Sequence, residues 1–139
     1  MRRRIVLAVV LAVSAAAAVT ALAIPPILLP AFAGCSGTTP KVRPKSIVVA
    51  CGDGNFYLTK LKWATWKETS GSGAGIGHQN DCKPYCARGH FHSYRVSVRV
   101  SRPVNCKKDR REFTRLSWRF VGRKPAGVAR AGSAPFRCH

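Results

Sequence analysis

Acidic residues are scarce in this chain. Its 139 residues hold 5 Asp plus Glu against 24 Lys plus Arg, a formal net charge of +19. The five acids are Asp53, Glu68, Asp81, Asp109 and Glu112, so the facing carboxylate pair of a glycosidase would arise only by chance placement. No nucleophile-elbow motif is present from which a Ser-His-Asp arrangement could be recognised. The glycine-rich run Gly71 to Gly77 lacks the Gly-Lys-Ser/Thr and the strand-helix-strand frame of nucleotide-binding loops. After the N-terminal segment there is no internal repeat, no heptad pattern and no amphipathic helix. These absences set aside nucleotide-driven enzymes, coiled coils and solenoids, and they leave short strands and turns.

The chain opens with Arg2, Arg3 and Arg4, followed by residues 5–24, which are apolar apart from Ser14 and Thr20. Pro25-Pro26 ends any helix there, and Ala31-Phe32-Ala33 supplies small residues two apart. The pattern predicts a cleaved secretory signal over residues 1–33 and a secreted product. The alternative is a retained span, since a bilayer crossing takes about 20 apolar residues. Phe32-Ala33-Gly34-Cys35 also approximates a lipobox, which would acylate Cys35 and anchor the protein with its domain outside the cytoplasm.

Six cysteines, Cys35, Cys51, Cys82, Cys86, Cys106 and Cys138, form an even set that closes as three bridges. Many pairings satisfy that count; the expected one joins Cys82 to Cys86, Cys51 to Cys106 and Cys35 to Cys138. A zinc site on Cys82, Cys86, His90 and His92 is the competing use of those residues. Export favours bridges, so no metal and no cofactor is expected.

Residues 34–45 read as an extended lead-in rich in Gly, Ser, Thr and Pro. A disulfide-bonded β domain is expected over 46–122, with a loose basic Gly/Ala/Pro tail over 123–139 until Cys138 ties it down. Within the domain, Ser46–Cys51 is a short β-branched run before the turn Gly52-Asp53-Gly54-Asn55. Phe56–Lys67 continues as a strand with Tyr57, Thr59, Leu61 and Trp63 expected inward and Lys60 and Lys62 outward. Trp66 falls out of that phase, which calls for either a bulge or an exposed ring. Glu68–Asn80 reads as a mobile glycine loop. Phe91–Ser101 alternates cleanly, Tyr94, Val96, Val98 and Val100 against Arg95, Ser97 and Arg99, and Pro103 is expected to close it. Glu112–Val121 repeats the pattern, Leu116, Trp118 and Phe120 against Arg115, Ser117 and Arg119. The fold class is all-β, a small antiparallel sandwich or open barrel. About a hundred residues bury a modest core, and disulfides worth roughly 2–4 kcal/mol each offset the deficit.

Three stretches, Cys51-Gly52-Asp53-Gly54-Asn55, Trp63-Ala64-Thr65-Trp66 and Asn80-Asp81-Cys82-Lys83-Pro84-Tyr85-Cys86-Ala87-Arg88-Gly89, together with Cys106, resemble the pattern of small exported actinobacterial proteins of unknown function. The resemblance covers roughly residues 44–121. It implies export and cysteine pairing and carries over no catalytic residue.

With the first 33 residues removed, 21 Lys plus Arg face the same 5 acids, a net charge of about +16. So one-sided a charge points to anionic partners: nucleic acid, extracellular or cell-wall polymer, or a membrane surface. If the two alternating strands are neighbours, Arg95, Arg99, Arg115 and Arg119 form a basic plate. No aromatics interleave with them along those strands, so no specific nucleic acid is expected. Asp53, Asn55, Trp63 and Trp66 are candidates for a site, Trp66 as a ring that could stack on bases or sugars if exposed, but their better-supported role is shaping a turn and filling a core, the commoner place for a tryptophan. The leading reading is a non-enzymatic binding or structural domain for anionic polymer. The enzymatic alternative is a small secreted ribonuclease using two of His78, His90 and His92 as acid and base.

Overall fold

The computed structural model describes residues 28–35, 38–106 and 109–138. Six antiparallel strands lie in one sheet in chain order: β1 (Ile47–Val48), β2 (Phe56–Trp66), β3 (Ser70–Asn80), β4 (Phe91–Asn105), β5 (Arg111–Phe120) and β6 (Ala131–Pro135). The sheet curls into a half-barrel, the open-barrel form of the expected all-β architecture. Val96, Val98 and Val100 of β4 and Leu116 and Phe120 of β5 are buried on its inner face, as their alternation predicts. Pro103 does not close β4, which runs on to Asn105 and pairs Pro103 with Phe113.

The largest departure from the sequence reading is β3. Ser70–Asn80, expected as a loop, is an inner strand paired along its length with β2 and β4. Its alternating glycines are explained by what lies over their face of the sheet. A Cβ on Gly73 would collide with the Lys62 carbonyl, and one on Gly75 would stand 2.7 Å from the Thr59 carbonyl oxygen. Glycine in a strand interior marks such close approach of another backbone.

The approaching backbone is that of β2, whose register shifts between Thr59 and Lys62 and again between Trp63 and Thr65. Lys60 takes a left-handed φ of 51° at the first shift. An inserted residue reverses which side chains face inward. Phe56 and Leu58 are therefore buried before the bulge, and Leu61 and Trp66 after it. Tyr57 and Thr59 sit with the opposite set, contrary to the phase expected from sequence. The second shift brings Trp66 into the core at 5% exposure, where its Nε1 donates to the Pro30 carbonyl at 2.9 Å.

Segments near both ends of the described residues enter the core. Phe32 and Phe136 are buried and meet edge to face with ring centroids 5.1 Å apart. The Ala31 amide donates to the Arg111 carbonyl, and the Phe113 amide donates to the Ala31 carbonyl, both at 2.9 Å. Ala31-Phe32-Ala33 thus lies within the packed body, and the body also extends past residue 122. What reads as a loose tail contributes β6 and Phe136. The apolar run 5–24 lies outside the described residues; among the described residues no helix is long and apolar enough to cross a membrane.

The disulfides are Cys35–Cys51, Cys82–Cys86 and Cys106–Cys138. The Cys82–Cys86 expectation stands, and the other two pairs are corrected. Cys51 ends the short run after β1, beside the lead-in that carries Cys35. Cys106 follows β4 in the hairpin to β5, close to where β6 delivers Cys138. Cys82–Cys86 closes within the β3–β4 connection, Cys35–Cys51 ties the lead-in to the turn before β2, and Cys106–Cys138 ties the β4–β5 hairpin to the segment after β6.

Candidate functional site

The outer face of the sheet carries the charge. Along β4 and β5, Arg99 pairs with Ser117, Arg119 with Ser97 and Arg115 with Ser101, while Arg95 pairs with Ile76 of β3. No arginine stands directly opposite another. Like charges face to face across a ladder are destabilising, whereas diagonal neighbours sit about 7–8 Å apart. The result is a zigzag, Arg95, Arg119, Arg99, Arg115, that steps from strand to strand down the β4/β5 seam. Both strands thus contribute arginines to one plate, as the sequence suggested.

Small residues surround the row. Ser72, Arg99, Ser117 and Ser133 lie in one line across four strands, and Ala74, Ser97, Arg119 and Ala131 in the next. All but Ser133 floor an open trough of about 670 Å³ with Lys62 on its β2 bank. An adjoining hollow is lined by Lys60, Lys62, Ile76, Arg95 and Val121. Two arginines are held by serine hydroxyls: Arg99 Nη2 donates to Ser70 Oγ at 3.2 Å, and Arg115 Nη1 to Ser133 Oγ at 2.8 Å. Arg95, Arg99 and Arg119 are exposed, and Arg115 lies flatter and half-buried.

The acids are elsewhere. Asp53 accepts from the Asn55 amide in the turn before β2, and that bond holds its carboxyl below the usual range. Glu68 pairs with Arg111 at 3.7 Å, Asp81 with His92 at 3.0 Å, and buried Glu112 with Arg110 at 2.8 Å. Asp109 is in the β4–β5 turn. Among the described residues, none of the four plate arginines is in an ion pair, so their field is cancelled only by solvent and salt.

One end of the same face is aromatic. Tyr57 of β2 stacks on His78 of β3 with centroids 4.6 Å apart and planes 14° from parallel, and Phe91 of β4 leans on Tyr57 at 5.3 Å. His78 is fixed at both ring nitrogens, Nε2 with Thr59 Oγ1 at 2.8 Å and Nδ1 with Ser93 Oγ at 3.1 Å. Phe91 is 46% exposed. Ser93 and Arg95 follow Phe91 on the same face of β4, because alternate residues of a strand share a side. Sequence reasoning missed this cluster: its members sit on three strands, one of them read as a loop and another read in the wrong phase. Trp66 fills the core, the commoner of its two readings from sequence, and so is not the stacking ring of this surface.

The Asn80–His92 segment is a structural clasp. Asn80 is buried, its Nδ2 donating to Asn55 Oδ1 at 2.8 Å and to the Cys86 carbonyl at 2.9 Å, while its Oδ1 accepts from the Cys82 amide at 3.0 Å. A Cβ on Gly89 would collide with that oxygen. Asp81 Oδ1 accepts from the His90 amide at 2.9 Å and the Lys83 amide at 3.1 Å, and Oδ2 receives His92 Nε2. These bonds, that from the His90 amide first, hold its carboxyl far below the usual carboxylate range. The joined sulfurs of Cys82 and Cys86 offer no thiolates for a zinc ion, and the bonded sulfur of Cys35 offers no thiol for acylation. His78 does not converge with His92. His78 and His92 differ by one residue in ladder position and therefore face opposite sides of the sheet.

No protein-family model, no curated protein and no solved structure matches the chain.

Proposed function

We propose that this protein is a non-enzymatic binding domain whose outer sheet face takes up extended anionic polymers outside the cytoplasm. The observation that carries the reading is the zigzag of Arg95, Arg119, Arg99 and Arg115 on a floor of small side chains, with the acids held elsewhere. A cation row with low neighbours admits a chain of anions along it, and a sheet face free of carboxylates concentrates them there. The three disulfides suit an oxidising compartment. Retention on a heparin column at rising salt tests the reading. Elution is expected to come late, and to move to lower salt in the Arg99→Ser/Arg119→Ser double variant; elution unaffected by either would contradict it.

A further inference from the structure

We propose that the ligand class of this face is single-stranded nucleic acid, bound without base specificity, with Phe91 as the residue on which a base stacks. The inference rests on the polyanion reading and adds to it a second kind of contact. Cations alone select no particular polyanion. A cation row that runs up to an open aromatic ring matches a polymer whose charges alternate with flat apolar rings, and single-stranded nucleic acid is that polymer.

Phe91 has the required exposure and the required support. Nearly half of its surface is open, and its inner edge rests on Tyr57, which itself stacks on the hydrogen-bonded His78. Such a ring is held in place before a ligand arrives, so little conformational freedom is lost on binding. From Phe91 to Arg95 is four residues of one strand, about 13 Å. Beyond Arg95 the guanidinium row continues for three more diagonal steps. A strand laid along β4 would place one base on Phe91 and its backbone over the arginines. Duplex DNA keeps its bases paired and stacked internally, so it can use the arginines but not the ring.

The test uses the full disulfide-bonded protein and three probes of equal phosphate number: an oligothymidylate of about a dozen nucleotides, an abasic deoxyribose-phosphate oligomer, and a duplex. Oligothymidylate is expected to bind tightest. Phe91→Ala is expected to weaken oligothymidylate roughly 5- to 150-fold, the range of one lost base–aromatic stack, and to leave the abasic oligomer unchanged. Arg119→Ser is expected to weaken all three. Salt titration should give a log–log slope of about −2.8 for four phosphates on a single strand, falling by about 0.7 with each arginine removed. Equal affinity for oligothymidylate and the abasic oligomer, tighter binding of the duplex, or no effect of Phe91→Ala on oligothymidylate would overturn the stacking proposal while leaving the polyanion reading intact. Absence of salt-dependent binding to every probe would remove both.

Discussion

Phe32 and Phe136 stand 104 positions apart near the two ends of the described residues, yet their rings meet edge to face at 5.1 Å inside one core. The half-barrel is closed over its inner face by these two segments. Neither belongs to the strands that sequence alternation reveals.

The first prediction follows from that closure. Phe32→Ala is expected to destabilise the disulfide-intact protein by roughly 3–5 kcal/mol, the usual cost of deleting a buried phenylalanine ring. A chain beginning at Gly34 loses Phe32 and also the Pro30 carbonyl that accepts from buried Trp66 Nε1, and it should be weaker still. Urea unfolding of chains beginning at Leu28 and at Gly34 measures the difference. By the same reasoning, the N-terminal residue of protein recovered from culture medium is expected at or before Pro30; a start at Gly34 with undiminished stability would contradict the packing.

Bridge connectivity gives the second. Peptide mapping without reduction should recover Cys35 linked to Cys51 and Cys106 linked to Cys138. The Cys106→Ser/Cys138→Ser variant removes a loop closure spanning 32 residues, worth about 3–4 kcal/mol by the chain-entropy estimate. The Cys82→Ser/Cys86→Ser variant, whose cysteines are 4 apart, should lose less. Equal losses would show that the bridges act through native contacts and not through loop length.

Glycine spacing on β3 gives the third. Gly75→Ala is expected to cost roughly 1–3 kcal/mol, as overpacking does, because the new methyl meets the Thr59 carbonyl oxygen at 2.7 Å. Gly127→Ala provides a comparison: its Cβ meets nothing within 4 Å, and its φ of 73° supplies the whole penalty. Thermal unfolding of both separates crowding from backbone conformation.

Acid stability gives the fourth. Asp81 is held ionised by the amides of His90 and Lys83 and by His92. Its folded pKa is depressed, so the unfolded chain takes up a proton first as the pH falls. The stabilisation is full above the ordinary aspartate value of about 3.9 and declines as the pH drops from there towards the folded value. Asp81→Asn should therefore be less stable than the parent at neutral pH, and the gap should narrow steadily below about pH 4. A gap independent of pH would assign the effect to shape alone.

Much of the fold could be read from residues 91–121, where alternation of valines with arginines and of Leu116 and Phe120 with Arg115 and Arg119 gave both strands and their charged face. β3 could not be read that way, because its inward positions are glycines and alternation of glycine with small residues carries little hydrophobic signal. The β2 phase failed at Lys60, where one inserted residue exchanges the two faces. With a loop in place of β3, Tyr57, His78 and Phe91 share no surface, so the aromatic end of the site is not visible in the sequence. Bridge pairing was hidden for a related reason: it depends on where the lead-in carrying Cys35 and the segment after β6 carrying Cys138 pack, and neither has an alternation to read. The Ala31-Phe32-Ala33 pattern meets the composition of a cleavage site, and only packing shows what its phenylalanine fills.

The central claim is that the arginine zigzag, and not net charge as a whole, binds the polymer. Affinity for the abasic deoxyribose-phosphate oligomer, measured against salt for the parent, for Arg99→Ser/Arg119→Ser and for a control such as Lys41→Ser/Lys83→Ser that removes the same charge from the lead-in and the Cys82–Cys86 turn, tests it most directly. The account predicts a slope shallower by about 1.4 and a large loss of affinity for the plate variant, with the control close to the parent. Equal losses in the two double variants would contradict it.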